Sequence, residues 1–490
     1  MRGKRHDLIL QPGETCWRIE SADRVSLIVD AARYFAALRS AIRQAEHCVF
    51  MIGWEFDTRI SLDPDAQDDE VPDRLGKLLN WAVGERPDLK FYLLEWDVGM
   101  IQTLGRGSTP LRLADWIAGS QISLKLDHAH PAGAAHHQKI VVIDDVLAFC
   151  GGIDATADRW DTREHLDENP LRKRPTTGRP YDPWHDATLA LDGAAAQALS
   201  VLVRERWERA TGEAIDPAPP TQQHWPEDLS PTMENVRVAI SRTAPAFEGR
   251  DAVHEIESLY FEIISATQST LYIESQYFAS RKIAEAIASR LREADPPEFV
   301  IVNPESADGW LEEKVMGSAR ARLLTLIRKS DHKGRFRLYT PVAERGTPIY
   351  VHAKIVVMDD RFLRVGSSNL NNRSLGFDTE CDLSIEARST NPEDSDLRQR
   401  IAGMRSNLLA EHLGVTILDV EAAFAREQGS LIGTIEALRG DGRSLVPFVS
   451  KDLTSLENEV LAENDLLDPE HPADRWKAFR LSRLLPFGEK

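Results

Sequence analysis

Apolar and polar positions divide most of the chain into alternating helices and strands. Ala31–Ala45 carries apolar residues at helical spacing, and the short apolar run Val49–Phe56 follows it. After a further helical stretch come strand-like runs at Phe91–Trp96 and Ile122–Leu126. The same order returns later, with a helix over Ala252–Ala266 and strands at Leu271–Phe278, Phe299–Val302 and Phe336–Tyr339. Runs of this length bounded by turn residues predict strands, and a period of 3.6 predicts helices. Their alternation predicts an α/β fold: two α/β lobes related by a pseudo-twofold, with mixed sheets flanked by helices.

The repeat is sharpest after the last of these strands. His137-Gln-Lys139-Ile-Val-Val-Ile-Asp144 leads to Gly151-Gly-Ile-Asp154, and His352-Ala-Lys354-Ile-Val-Val-Met-Asp359 leads to Gly366-Ser-Ser-Asn369 at the same internal spacing. The expected domains are a first lobe over 1–213, a proline-rich linker over 214–235, a second lobe over 236–413 and a helical C-terminal extension over 414–490. An irregular insert over Thr162–Pro183 interrupts the first lobe only, and its Arg172, Lys173, Arg174 and Arg179 read as a solvated basic loop. In the extension, Thr416 is the expected N-cap of a helix reaching Gln428, and a second helix is expected around Ile435–Arg439.

Charge narrows the partners. The 78 acidic against 59 basic residues give a net charge of −19, which opposes a nucleic-acid backbone and broad adsorption to anionic lipid. No run approaches the roughly 18 apolar residues of a membrane span, and the apolar run near the N-terminus is too short for a secretory signal. The four cysteines, Cys16, Cys48, Cys150 and Cys381, form no CxxC pair and read as free thiols. The expectation is a cytoplasmic monomer with at most local, peripheral membrane contact.

Residues two apart on a strand share a face, so each copy of the repeat sends an imidazole and an ammonium to one side. Joined across the pseudo-twofold, His137, Lys139, His352 and Lys354 make a site for a phosphodiester. One imidazole attacks phosphorus, the other protonates the leaving alcohol and later deprotonates the incoming one, and the lysines neutralise the non-bridging oxygens. Asn369, Ser367 and Asp154 are the expected substrate phosphate contacts. With two ammonium groups in place no metal or other cofactor is expected. Each imidazole needs a carboxylate on its other nitrogen. Aligning Asp186–Asp192 with Glu380–Glu386 makes Asp186 and Glu380 the expected orienters, with Asp161 as the alternative for the first lobe.

These residues resemble the phospholipase D superfamily, whose signature is a duplicated HxKxxxxD followed by GSxN or GGxD. Gly151–Thr162, Pro183–Asp186 (PWHD), Tyr272–Phe278 (YIESQYF) and Gly366–Ser374 further resemble the eukaryotic-type enzymes. The resemblance spans about residues 25 to 413. It implies a two-lobed fold with one shared site, a phospholipid substrate at a membrane surface, transphosphatidylation beside hydrolysis through a phosphohistidine, and a structural role for Asp144 and Asp359. Alternatives are a cardiolipin synthase-like phosphatidyl transferase, a nuclease of the same superfamily and a non-enzymatic scaffold.

For the His and Lys residues the competing explanations are chance recurrence and an inactive relative; matched spacing and intact motifs oppose both. Trp54, Trp160, Trp184 and Trp310 are read as packing residues, with a substrate pocket as the alternative. Gln276 and Tyr277 are balanced between pocket and core. His136 is expected to turn away from its neighbour as a hydrogen-bonded bystander.

Overall fold

The computed structural model describes residues 8–65, 70–97, 121–221, 225–306, 310–388 and 391–449. The polar tail and the side chain of Trp310 lie outside the described part.

The first half contributes β1 (Arg18–Val29), β2 (Cys48–Gly53), β3 (Lys90–Trp96), β4 (Ile122–Asp127), β5 (Ile140–Ile143), β6 (Leu147–Gly151), β7 (Trp184–His185) and β8 (Ala187–Asp192). The second contributes β9 (Met233–Ala244), β10 (Val253–His254), β11 (Thr270–Glu274), β12 (Glu298–Val302), β13 (Phe336–Val342), β14 (Tyr350–Val351), β15 (Ile355–Met358), β16 (Phe362–Gly366) and β17 (Glu380–Glu386), followed by β18 (Ser444–Pro447).

Instead of a sheet per lobe, one continuous sheet runs through the molecule in the order β18-β13-β12-β11-β15-β16-β17-β9-β1-β8-β6-β5-β2-β3-β4. Outward from the antiparallel β1–β9 pair, the two halves repeat each other strand for strand, β18 being an addition at the outer edge. The sequence pattern missed β1 and β9 because charged and apolar residues mix along them, as in Arg18-Ile-Glu-Ser-Ala-Asp-Arg-Val25. Left alone, each would present a long unpaired edge. Pairing the two covers both edges and makes the sheet mixed but undivided.

Alternation along β1 shows the layering. Leu27 and Val29 join a core that also holds Leu199 and Leu202 of the helix Gly193–Thr211 and Leu408 of the helix Ser395–Leu413. Ile28 faces the opposite core, with Phe35 and Leu38 of the helix Ala31–Gln44. The corresponding layer of the second half is built from the helices Glu255–Ala266 and Arg281–Leu291 against β11 and β12. In the C-terminal extension Thr416 caps the helix Ile417–Arg426 with a full capping box to Asp419, and a second helix spans Leu431–Leu438. The extension is not wholly helical, since β18 pairs with β13. Among the described residues no helix is long and apolar enough to cross a membrane. Cys16, Cys48, Cys150 and Cys381 are free and buried.

Candidate active site

Each His-x-Lys pair sits in the extended lead-in to a short apolar strand, β5 or β15, at corresponding places either side of the β1–β9 axis. Both lysines fold back so that Nζ donates to the carbonyl of their own motif's histidine, at 2.9 Å for Lys139 on His137 and likewise for Lys354 on His352. The imidazoles keep a narrow opening: their side chains are 13% and 7% exposed.

The carboxylate partners cross between the halves. His137 Nδ1 lies 3.0 Å from Glu380 Oε2, and His352 Nδ1 lies 2.6 Å from Asp186 Oδ2. The backbone explains the exchange. The lead-in to the first motif runs beside the lead-in to β17, with His136 bridged to Thr379 and His137 N–H donating to Thr379 C=O at 2.9 Å. Reciprocally β14, before the second motif, pairs with β7, and His352 N–H donates to His185 C=O at 2.8 Å. Each half therefore supplies one carboxylate, and it serves the other half's histidine. Asp161, the alternative for the first lobe, is committed to His165, Arg172 and the backbone N–H of Trp184.

Electrostatics ties the four side chains into one site. Burial, then Lys139 and Lys354, hold His137 well below the usual histidine range; burial, Lys354, Arg159 and Lys139 do the same to His352. Burial pushes Lys354 down to about 7 against the pull of Asp186, with Lys139 adding repulsion. Burial lifts Glu380 to about 7, opposed by hydrogen bonds from Ser367 and Ser374, and raises Asp186, opposed by Lys354. Both imidazoles are thus held toward the neutral form beside the two lysines.

The expected phosphate contacts fare differently. Ser367 Oγ donates to Glu380 Oε2 and accepts from Cys381 N–H, so its hydroxyl positions the carboxylate instead of meeting a phosphate. Asp154 is paired with Lys139 at 3.1 Å and accepts from Trp54 N–H at 2.9 Å; a carboxylate used this way offers only acceptors and has nothing to give a phosphate oxygen. Asn369 is buried and its Oδ1 has no hydrogen-bond partner; that oxygen only accepts, so a phosphate contact would have to come from its Nδ2 group. The asymmetry between the copies has a steric cause. A Cβ at Gly152, the counterpart of Ser367, would stand 2.1 Å from Asp186 Oδ1.

The motif aspartates face away from the site. Asp144 accepts from the N–H groups of Glu46, His47 and Cys48, and Asp359 from those of Gln268, Ser269 and Thr270, at the entries to β2 and β11. His136 is held by Thr379 and Asp127, away from the phosphate side. Trp54 stands edge-on to His137 at 5.3 Å, and Trp184 lies 5.2 Å from His352 while stacking on Tyr350. Both therefore wall the imidazoles, a placement the packing interpretation did not anticipate. Trp160 is buried in the first-half core. Gln276 donates to Tyr277 and Tyr350, which ties it to the same wall. Arg172 is buried inside the insert, not solvated. Sequence reasoning passed over Arg159, whose guanidinium covers Trp184 at 4.3 Å and acts on His352; its only signal was its place in the run Gly151–Thr162.

Residues 41–284 match the family model described as phospholipase D, and residues 260–400 match that described as cardiolipin synthase, phospholipase D-like domain. The chain is 26% identical to phospholipase D A of Dictyostelium discoideum over 80% of its own length and 36% of that protein. It is 23% identical to phospholipase D delta of Arabidopsis thaliana over 77% of its length and 62% of the relative. It thus spans between a third and two thirds of these relatives. Among solved structures, phosphatidylserine synthase of Haemophilus influenzae superposes with a TM-score of 0.56 at 13% identity, covering 96% of this chain and 98% of that one; the likeness is one of fold.

Proposed function

This chain belongs to the phospholipase D superfamily, and from that premise we propose that it cleaves a glycerophospholipid phosphodiester in two steps on one site. The observation that carries the proposal is the crossed pairing, in which His137–Glu380 and His352–Asp186 share the space around Lys139 and Lys354. His137, neutral before substrate arrives, attacks phosphorus through Nε2. The bond to the departing alcohol breaks as His352 gives that oxygen its proton. The anionic phosphodiester raises the imidazole pKa on binding, so His352 takes up that proton from solvent before the bond breaks. His352 then takes a proton from water or a second alcohol, whose oxygen displaces His137 from phosphorus. Lys139, Lys354 and the Nδ2 group of Asn369 hold the non-bridging oxygens throughout.

Release of headgroup and phosphatidic acid from mixed micelles tests the scheme. His137→Ala and His352→Ala should each lose at least about a hundredfold in turnover, the lower end for general acid–base groups. Near wild-type activity in either variant would rule out a shared site. Ethanol or glycerol should divert product to the phosphatidyl alcohol with retention at phosphorus; inversion without adduct would rule out the covalent step. Mapping the trapped phosphopeptide assigns the nucleophile, and label on the His352 peptide would exchange the roles.

Phosphatidyl transfer to a second lipid is the other reading, favoured by the description of the family model matched over 260–400. Mixed micelles containing a hydroxyl-bearing lipid separate the two by product mass. A nucleic-acid substrate in parallel addresses the nuclease alternative, which the net charge opposes.

A further inference from the structure

Beside the active site lies a second buried cluster that the proposed chemistry does not use. Asp30 follows β1, His165 comes from the insert, His185 from β7 and Glu411 from the helix Ser395–Leu413 of the other half. Their ligating atoms all lie within 4.8 Å of one another. His185 Nδ1 is 2.9 Å from Glu411 Oε1 and 3.2 Å from Asp30 Oδ1; His165 Nε2 is 3.2 Å from Glu411 Oε1 and 3.6 Å from Asp30 Oδ2. Four ligands bound tetrahedrally at about 2.0–2.2 Å from one ion stand roughly 3.3–3.6 Å apart, so these separations need only a small expansion to become a ligand shell.

Four further features bear on the site. His185 Nδ1 and Asp30 Oδ2 are buried yet make no aligned hydrogen bond, although partners stand close by. The remaining nitrogen of each histidine is held by a carboxylate, His165 Nδ1 by Asp161 at 3.0 Å and His185 Nε2 by Glu274 at 2.7 Å, the arrangement that fixes a metal-binding imidazole. With Arg163 on Glu411 and Arg172 on Asp161, the four carboxylates leave two negative charges; against burial they raise His165 to about 9 and His185 well above the usual range, so two protons fill the place when no ion does. One divalent ion cancels the same two charges. Asp30 and His165 hold positive φ values of 66° and 40°, a strained backbone at two of the four ligands.

We propose that Asp30, His165, His185 and Glu411 bind one first-row divalent cation of the zinc class in a closed, structural site. Two nitrogens and two oxygens without solvent access suit such an ion, and burial of all four ligands excludes an open catalytic position. The ion would staple the insert and the strand before Asp186 to the opposite half. Asp30 N–H already donates to Asp186 C=O at 2.8 Å, so the staple would reach the backbone of the residue that orients His352. The expectation of no metal rests on catalytic need and on the absence of HExxH, EF-hand or Cys/His ligand spacing, and a structural ion held by four separate elements would run against it.

Elemental analysis and native mass spectrometry of the full chain, purified without chelator and then dialysed, should find one divalent ion per chain. Protein unfolded in chelator and refolded with Co2+ should show the visible absorption of a tetrahedral centre. His165→Gln and Asp30→Asn should each bring the content below about one tenth of an ion per chain, and Glu411→Gln serves if either fails to fold. Metal content does not depend on turnover, so failure here is separable from failure of the proposed reaction. Folded wild-type protein that holds no ion as purified and takes up neither Zn2+ nor Co2+ would overturn the proposal and leave two protons in the ion's place. So would a full complement retained by both variants.

Discussion

Ser367 shows how far a residue's use can depart from its motif. Its hydroxyl lies between Glu380 and the Cys381 N–H, so Ser367→Ala leaves Glu380 Oε2 to His137 alone and removes a partner of the buried Cys381 N–H. A hydrogen bond to a charged group is worth about 1.5–3 kcal/mol, so kcat should fall roughly ten- to hundredfold with KM little changed. A raised KM with kcat intact would return Ser367 to the phosphate contacts. Lys354 sets the alkaline limit. Burial holds its pKa near 7, and the ammonium that neutralises phosphate is lost as pH rises through that value. The pH profile of kcat/KM, which reports the free enzyme, should therefore fall above about pH 7, while that of kcat falls later because the bound anion stabilises the ammonium. A flat kcat/KM profile to pH 9 would contradict this.

At the level of elements, the lead-in strands decide which carboxylate serves which histidine. Asp186→Asn should reproduce the leaving-group dependence of His352→Ala, and Glu380→Gln that of His137→Ala, when natural lipid is compared with a p-nitrophenyl phosphodiester. A general-acid defect is relieved by a good leaving group, whereas a nucleophile defect is not. Pairing within each half would give the opposite match. The entries to β2 and β11 rest on Asp144 and Asp359. Asp144→Ala removes three hydrogen bonds to buried or half-buried backbone, and a loss of about 3 kcal/mol is expected in urea unfolding. Activity per folded molecule should change little.

For the whole molecule, the undivided sheet makes the halves one folding unit. The twelve-residue strands β1 and β9 pair with each other, and β8 and β17 flank them, so neither half can open without exposing long edges. Tryptophan fluorescence and far-ultraviolet circular dichroism should report coincident unfolding transitions. Two separated transitions would show lobes that fold independently.

Local information in the chain was enough for the repeat, the α/β alternation, the two His-x-Lys pairs and the cap at Thr416, because spacing and periodicity are written within a few residues. Asp186 and Glu380 were singled out as well, one just before β8 and the other at the start of β17. Their exchange between halves was not legible, since it depends on β7 meeting β14 and Thr379 meeting His137 across more than a hundred residues of chain. Asp154 and Ser367 look like phosphate contacts in sequence; only packing shows that Lys139 and Glu380 already claim them. The cluster of Asp30, His165, His185 and Glu411 has no spacing to read, because its members come from four separate elements. Sequence determined which chemical groups each half carries. Tertiary structure decided which of them meet, because burial of the β1 and β9 edges fixes how one half lies against the other.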